Sequence, residues 1–314
     1  MITVSVPGKI HLMGEHAVVY GKPALLSAIN KRMRVSIEEA LKMDIVTTES
    51  PACITYALEK VKEYLKLDAL PPMRISIDSD IPAGFHLGSS AATAVGVVAA
   101  SIYFLKKLWN PTHINAIAYE VEKKQHGNPS GGDNTAVTFG GLLWFRKELE
   151  FFKSMRQLDI TISSALNHFF LINTGRPKET TGEMVAYVRS KVAAHTSQYK
   201  KLFDENEEQT KNVAIALKEG KETDFVDGIK RGEHTLEQMG VVSKHVIPVI
   251  RAIERAGGAA KILGGGGRTD GVGFLLCYHN NIKTAEKLCV KYKYGIQEIQ
   301  LGEEGVKLEK RSNL

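Results

Sequence analysis

The 314-residue chain has three cysteines, two tryptophans and no long uninterrupted apolar run. Each scarcity closes a class of function. Cys53, Cys277 and Cys289 are odd in number and form no CxxC pair, which excludes a disulfide framework or a structural zinc site. Reduced, buried thiols are expected, as in a cytosolic protein. The most apolar run, Ala91 to Leu105, is broken by Thr93 and Ser101 and at about 15 residues is too short to span a bilayer. The opening MITVSVPGKIHLMGEH has no basic leader followed by an apolar core, so it reads as a strand and not as a signal peptide. No dense Lys/Arg tract interleaved with aromatics occurs, so nucleic acid is not an expected partner. A soluble, cytoplasmic protein without membrane or nucleic-acid partners is predicted. The net charge of +6 and a pI near 9.0 suit an anionic ligand.

What is present is ordinary globular composition, 43% hydrophobic and 24% charged, over a length that suits one large domain or two lobes. Thr3 to Val6 alternates as a strand, Pro7-Gly8 breaks it, and Lys9 to Met13 resumes it. Met33–Ala40, Met43–Thr48, Arg74–Asp78 and Phe169–Asn173 also read as strands, and 135–145 is strand-like. Ile54, Leu58, Val61 and Leu65 fall at helical spacing, and Asn110-Pro111 starts another helix. Residues 181–256 are mostly helical, with breaks near Gly220, Gly240 and Pro248. A strand (259–263), a glycine run, a strand (271–278), a helix (282–292) and a final strand pair (296–308) follow. No regular βαβ repeat appears, which favours α+β over a doubly wound sheet. The stretch 153–166 looks least structured and marks the expected boundary between domains 1–165 and 166–314.

Three glycine-rich stretches stand out: IPAGFHLGSSAAT (81–93), GNPSGGDN (127–134) and KILGGGGRTDGVG (261–273). The first runs into a helix of small residues. A helix N-terminus carries unpaired N–H groups and a positive dipole, so it can hold a phosphate. Gly84 and Gly88 give clearance, Ser89 and Ser90 offer hydroxyls for capping or for a phosphate-bound Mg²⁺, and Ala91 keeps the first turn slim. A plain Gly-Ser cap on a core helix explains the same letters. There is no Walker A loop, and the Rossmann glycine spacing is missing here.

Phosphoryl transfer asks for a phosphate cradle, a metal and a group that positions the acceptor hydroxyl. Asp133, in a glycine-rich loop, suits the last role or a simple turn. Glu122 suits Mg²⁺ binding or a solvated helix face. Lys9 suits an active ammonium near Asp133 or a strand-edge lysine. Spacing alone does not bring these three together.

At this point the residues resemble a family. PGKIHLMGEHAVVYGKPAL (7–25), IPAGFHLGSSAAT, HGNPSGGDN and KILGGGG occur in the order seen in the GHMP kinases, over nearly the whole chain, and GEHAVVYG looks like the mevalonate kinase branch. The resemblance implies a two-lobed α+β fold with the active site in the cleft between lobes. It implies ATP phosphates wrapped by Gly84, His86, Leu87, Gly88, Ser89, Ser90 and Ala91. Ser90 and Glu122 become Mg²⁺ ligands, Asp133 the group that accepts the hydroxyl proton or orients the hydroxyl, and Lys9 its partner. Glu15, His16, Thr181 (or the equally matched Thr180) and Gly265 fall near substrate. The implied reaction moves the ATP γ-phosphate to the primary 5-hydroxyl of (R)-mevalonate, and a homodimer is compatible with the family.

The chain departs from the family pattern in three places. Phe85-His86 replaces a small residue and a glycine, so either the loop is displaced or His86 touches nucleotide. Gly132 replaces a branched apolar residue and predicts a looser loop. Arg-Thr-Asp is inserted after GGGG, where Arg268 reads as a substrate contact or as part of a surface turn capped by Asp270. These departures keep other small-molecule acceptors open (phosphomevalonate, a sugar, homoserine), as well as a non-catalytic binding protein.

Overall fold

β-branched and apolar residues alternate with polar ones from Ile2 to Met13, and this stretch forms β1 (Ile2–Met13). The computed structural model describes residues 1–309 apart from 128, 150, 167 and the side chain of 126; residue 128, within the second glycine-rich stretch, lies outside the described residues. Pro7-Gly8 does not end β1. It is a register shift within one continuous pairing with β2 (Pro23–Glu39), because a bulge absorbs a proline that a regular ladder would not. β3 (Asp44–Val46), α1 (Pro51–Leu65) and β4 (Met73–Ser79) follow, then α2 (Ser89–Lys106), α3 (Pro111–His126) and α4 (Gly132–Phe139). β5 (Leu142–Lys147), β6 (Lys153–Leu158) and β7 (Phe169–Asn173) lead to α5 (Thr181–Ala194), α6 (Thr196–Glu219), α7 (Glu222–Met239) and α8 (Ile247–Arg255). The chain then runs through β8 (Ala259–Ile262), β9 (Phe274–Tyr278), α9 (Ile282–Lys291), β10 (Gly295–Ile299) and β11 (Lys307–Leu308).

Two sheets result. The first runs β11-β1-β2-β4-β3, with β5 and β6 continuing from the other half of the long β2. The second is β10-β7-β9-β8, antiparallel throughout. α2 lies against β1 and β2 and is flanked by α1 and α3. It sits so close to the sheet that a Cβ at Gly96 would stand 2.7 Å from Val35 Cγ2. Its 18 residues are long and apolar enough to cross a membrane, but 72% of that length is buried inside the fold, so its apolar surface serves the core. α6 and α7 pair and reach β1. One apolar cluster runs from Val6 and Val95 through Phe169 and Phe225 to Tyr278 and so spans both sheets.

Several local expectations change. Residues 135–145 are not one strand: 132–139 form α4, and β5 starts at Leu142. Gly131, at φ +87°, turns the chain into that helix. The Thr135 hydroxyl donates to Gly131 O at 2.6 Å, and Ala136 and Val137 are buried. Packing thus overrides the β-propensity of Thr and Val. The break near Pro248 holds, since α7 ends at Met239 and Pro248 stands in the first turn of α8. The stretch 153–158 is β6, paired with β5. The final strands are not partners: β10 joins β7 in the second sheet, while β11 returns to β1 in the first. Arg32 ties that returning segment down by donating to the carbonyls of Glu304 and Gly305.

Candidate functional site

Lys9 lies mid-β1, 1% exposed, and its Nζ sits 2.8 Å from Asp133 Oδ1 in the first turn of α4. The helix dipole favours a carboxylate there. The Asp133 side chain is 38% exposed and the Lys9 side chain 2%, so a buried cation presents a carboxylate that solvent or a ligand can reach. Both edge and turn readings of these residues fall away. The backbone N–H of Lys9 donates to Leu87 O at 2.9 Å, which fastens β1 to the glycine loop before α2. Gly88 adopts φ +81°, and a Cβ there would stand 2.8 Å from Lys9 Cγ. Glycine is required on both counts, for backbone conformation and for the lysine stem.

α2 begins at Ser89 with Gly88 as its N-cap, and glycine itself offers no side chain to the N–H groups of that first turn. The Ser90 hydroxyl donates to Glu122 Oε1 at 2.5 Å and to Gln125 Oε1 at 3.1 Å. Glu122 is 4% exposed on α3, which rules out a solvated helix face. Ser89 donates to Glu49 Oε2 at 2.9 Å. Glu49, Ser50, Gly84, Ser89, Ser90 and Gln125 line one cavity. Leu87 and Ala91 put their side chains in the core, so only their backbone can face a ligand.

The second sheet supplies the opposite wall. Lys261 of β8 pairs with Glu15, both fully buried, and also donates to the carbonyls of Ile262 (2.7 Å) and His11 (3.3 Å). His16 Nε2 donates to Gly265 O at 3.1 Å. Glu15 Oε2 and His16 Nδ1 are buried without a hydrogen-bond partner. With Nε2 carrying the proton, both orphaned atoms are acceptors. His86, at φ +65°, donates from Nε2 to Gly266 O (3.2 Å), with Nδ1 3.4 Å from the Thr181 hydroxyl. Gly264 leaves room for this ring, since a Cβ there would stand 2.8 Å from His86 Cβ. Phe85 packs at a tilt against Phe274, ring centroids 5.4 Å apart, and the bulky pair bridges to the C-terminal glycine loop. Thr180 is spent on the N-cap of α5, in a capping box with Glu183, so Thr181 is the threonine that faces the site.

Arg268 is not drawn into this group. Its guanidinium lies 4.0 Å above the Tyr187 ring, and Asp270 pairs with Lys178 at 2.6 Å. Gly132 is not loose. It is buried in α4, and a Cβ would stand 3.2 Å from Leu26 Cδ1 and 3.5 Å from Phe145. Sequence reasoning missed His11, Glu49, Lys261 and Arg176. Lys261 carried a signal, as a lone lysine within the apolar AAKIL. Arg176 packs on the glycine loop, its Nε 2.8 Å from where a Gly84 Cβ would stand. Nothing in local sequence pointed to it.

Burial lowers the His16 pKa to about 4, opposed by its bond to Gly265, and burial with the nearby Lys9 charge lowers His86 to about 4. A depressed histidine stabilises the fold above its unfolded value near 6.5, and that stability is lost as pH falls toward 4. Thermal stability should therefore drop between pH 6.5 and 4, and His16→Gln should flatten that drop in melts across the range. An unchanged pH slope in the variant would contradict it.

Comparison with known proteins follows the same line. The family model for the GHMP kinases N terminal domain matches residues 52–141. A mevalonate kinase of Archaeoglobus fulgidus is 34% identical over 271 residues, covering 84% of this chain and 88% of that protein. The solved mevalonate kinase of Methanococcus jannaschii superposes with TM-score 0.79 at 22% identity, over 96% of this chain and 98% of that one. Streptococcus pneumoniae phosphomevalonate kinase, solved with phosphomevalonate and AMPPNP, gives 0.80 at 18% identity over 96% and 100%.

Proposed function

The chain belongs to the mevalonate kinase family of the GHMP kinases, and on that footing we propose that it transfers the γ-phosphate of ATP to the primary 5-hydroxyl of mevalonate. The observation that carries the reading is the buried Lys9 joined to the accessible Asp133 and fastened to the loop before the glycine-capped N-terminus of α2. Phosphates would rest on the N–H groups of that first turn and of the loop from Gly84 to Ala91. As the hydroxyl oxygen bonds to the γ-phosphorus, the bond to ADP breaks and the hydroxyl gives up its proton. Asp133 accepts that proton or orients the hydroxyl, and the Lys9 ammonium stabilises the developing alkoxide.

Glu15 Oε2 and His16 Nδ1, buried acceptors without a partner, fit the hydroxyl groups of such a substrate. Gly265 and Thr181 flank them through His16 and His86. Arg268 contributes a rim charge held over Tyr187. We place ATP, Mg²⁺ and mevalonate in one site whose walls come from segments 1–165 and 166–314.

The donors suit Mg²⁺. Ser90 and Glu122 offer hard oxygens, and no group of three or more His, Cys, Asp or Glu that could hold a metal occurs among the described residues. That is the pattern of an ion held by one or two protein ligands together with substrate phosphates. When bound, the ion would neutralise phosphate charge. Glu122→Gln should therefore raise the Mg²⁺ concentration for half-maximal rate, by roughly 10- to 100-fold; an unchanged Mg²⁺ titration would contradict the assignment.

The acceptor is tested by ADP release with Mg·ATP and, in parallel, mevalonate, phosphomevalonate, galactose and homoserine. Turnover with mevalonate alone is expected. Turnover with another acceptor only would move the substrate, and none with any acceptor would support a binding protein.

A further inference from the structure

His11 is a buried histidine that the chemistry above does not use. It lies two residues after Lys9 on β1, so the two side chains share a face of the strand, and it is 6% exposed. Its Nδ1 is 3.2 Å from Lys9 Nζ. An ammonium can only donate, so Nδ1 is the acceptor and the ring proton sits on Nε2.

The surroundings enforce this state. Lys9 Nζ meets Nδ1 of the ring, Lys261 donates to the backbone carbonyl of the same residue, and the charges of Lys9, Asp133, Lys261 and His16 act on the ring electrostatically. Burial and the adjacent lysine charge hold its pKa well below the ordinary value, so the ring stays neutral and keeps its acceptor lone pair. The Lys9 ammonium has three protons. One goes to Asp133, one to His11, and these are its hydrogen-bonding side-chain partners among the described residues. Two anchors at about right distances fix where the third proton points.

We infer that His11 is a positioning residue: its Nδ1 locks the rotation of the Lys9 ammonium, so that one N–H stays on Asp133 and another is presented to the reacting oxygens. The inference rests on the roles proposed above for Lys9 and Asp133. Without His11 the lysine can still reach Asp133, but its remaining protons are free to rotate. Ground-state binding does not depend on that rotation, whereas the transition state does.

The test compares His11→Leu, which keeps bulk and removes the acceptor, with His11→Asn, whose Oδ1 replaces Nδ1. The expected result is a kcat lower by roughly 10- to 100-fold in His11→Leu with both KM values little changed, and recovery of most of the loss in His11→Asn. An independent readout uses wild-type protein: ¹⁵N NMR of labelled histidine, with the His11 signal assigned by its absence from His11→Asn, should show the Nε2–H tautomer at neutral pH. That measurement decides even if His11→Leu does not fold. A Nδ1–H tautomer, an unchanged kcat in His11→Leu, or a His11→Asn as slow as His11→Leu would overturn the proposal. Failure of the underlying reading looks different: Lys9→Met would then turn over like wild type. If only the positioning role fails, Lys9→Met is inactive while His11→Leu is not.

Discussion

Asp133→Ala should lower kcat by roughly 10²- to 10⁴-fold, the usual worth of a positioned acid–base group, with nucleotide binding retained. The proposed nucleotide cradle lies on α2 and its loop, whereas Asp133 stands on α4 with its carboxylate against Lys9. The alanine variant also takes the 2.8 Å partner from a buried ammonium, leaving His11 to hold it. Asp133→Asn is the cleaner probe, because it retains an oxygen acceptor for Lys9 but cannot take a proton. A loss in Asn equal to that in Ala assigns proton acceptance. Substantial activity in Asn with loss in Ala assigns orientation. Wild-type rates in both would remove Asp133 from the mechanism.

Lys261→Met should destabilise the fold by about 3–5 kcal/mol, because it strands the Glu15 carboxylate in a buried setting. Both side chains are essentially without solvent exposure, so water cannot take over for the lost ammonium. For a chain of this size that is a melting point lower by very roughly 5–15 °C. The double variant Glu15→Gln with Lys261→Met should recover part of the loss, since it removes the stranded charge as well as its partner. Equal melting points for Lys261→Met and wild type would contradict a structural role for the pair. The pair joins β8 of the second sheet to the turn after β1 of the first, so its loss is also expected to loosen the wall that carries His16 and Gly265.

Much of this was legible in the sequence because short motifs encode local backbone. Gly88-Ser89-Ser90 before a run of alanines fixes a helix start whatever the rest of the chain does, and α2 begins there. Asn110-Pro111 likewise opens α3, where the Asn110 side chain accepts from His113 N. Periodicity served equally well for α1. It failed at 135–139, where Thr-Ala-Val-Thr-Phe has the letters of a strand and is held as a helix by burial and by the glycines at either end. It failed again at 296–308, since which sheet a short strand joins is decided by partners far away in sequence, such as Phe169 for Ile299 and Ser5 for Lys307.

The site divides the same way. Lys9, Ser90 and Asp133 were visible because each sits in a motif, and Glu122 through the family resemblance, yet no spacing rule could place Lys9 against Asp133, 124 positions later in the sequence. His11 and Arg176 carried no motif. Their significance comes from one neighbour each, the Lys9 ammonium and the backbone of Gly84, and only the folded chain supplies those neighbours. For Arg268 the sequence left a substrate contact and a surface turn open, and the fold adds a neighbour that no local pattern announced, the face of Tyr187.

The most direct test of the central claim is proton-coupled ³¹P NMR of the reaction with Mg·ATP and mevalonate. Transfer to the 5-hydroxyl places phosphorus next to a CH₂ group, so a phosphomonoester triplet should grow in step with ADP and be absent with Asp133→Ala. ADP formation without that triplet, or a new diphosphate signal only when phosphomevalonate replaces mevalonate, would contradict it.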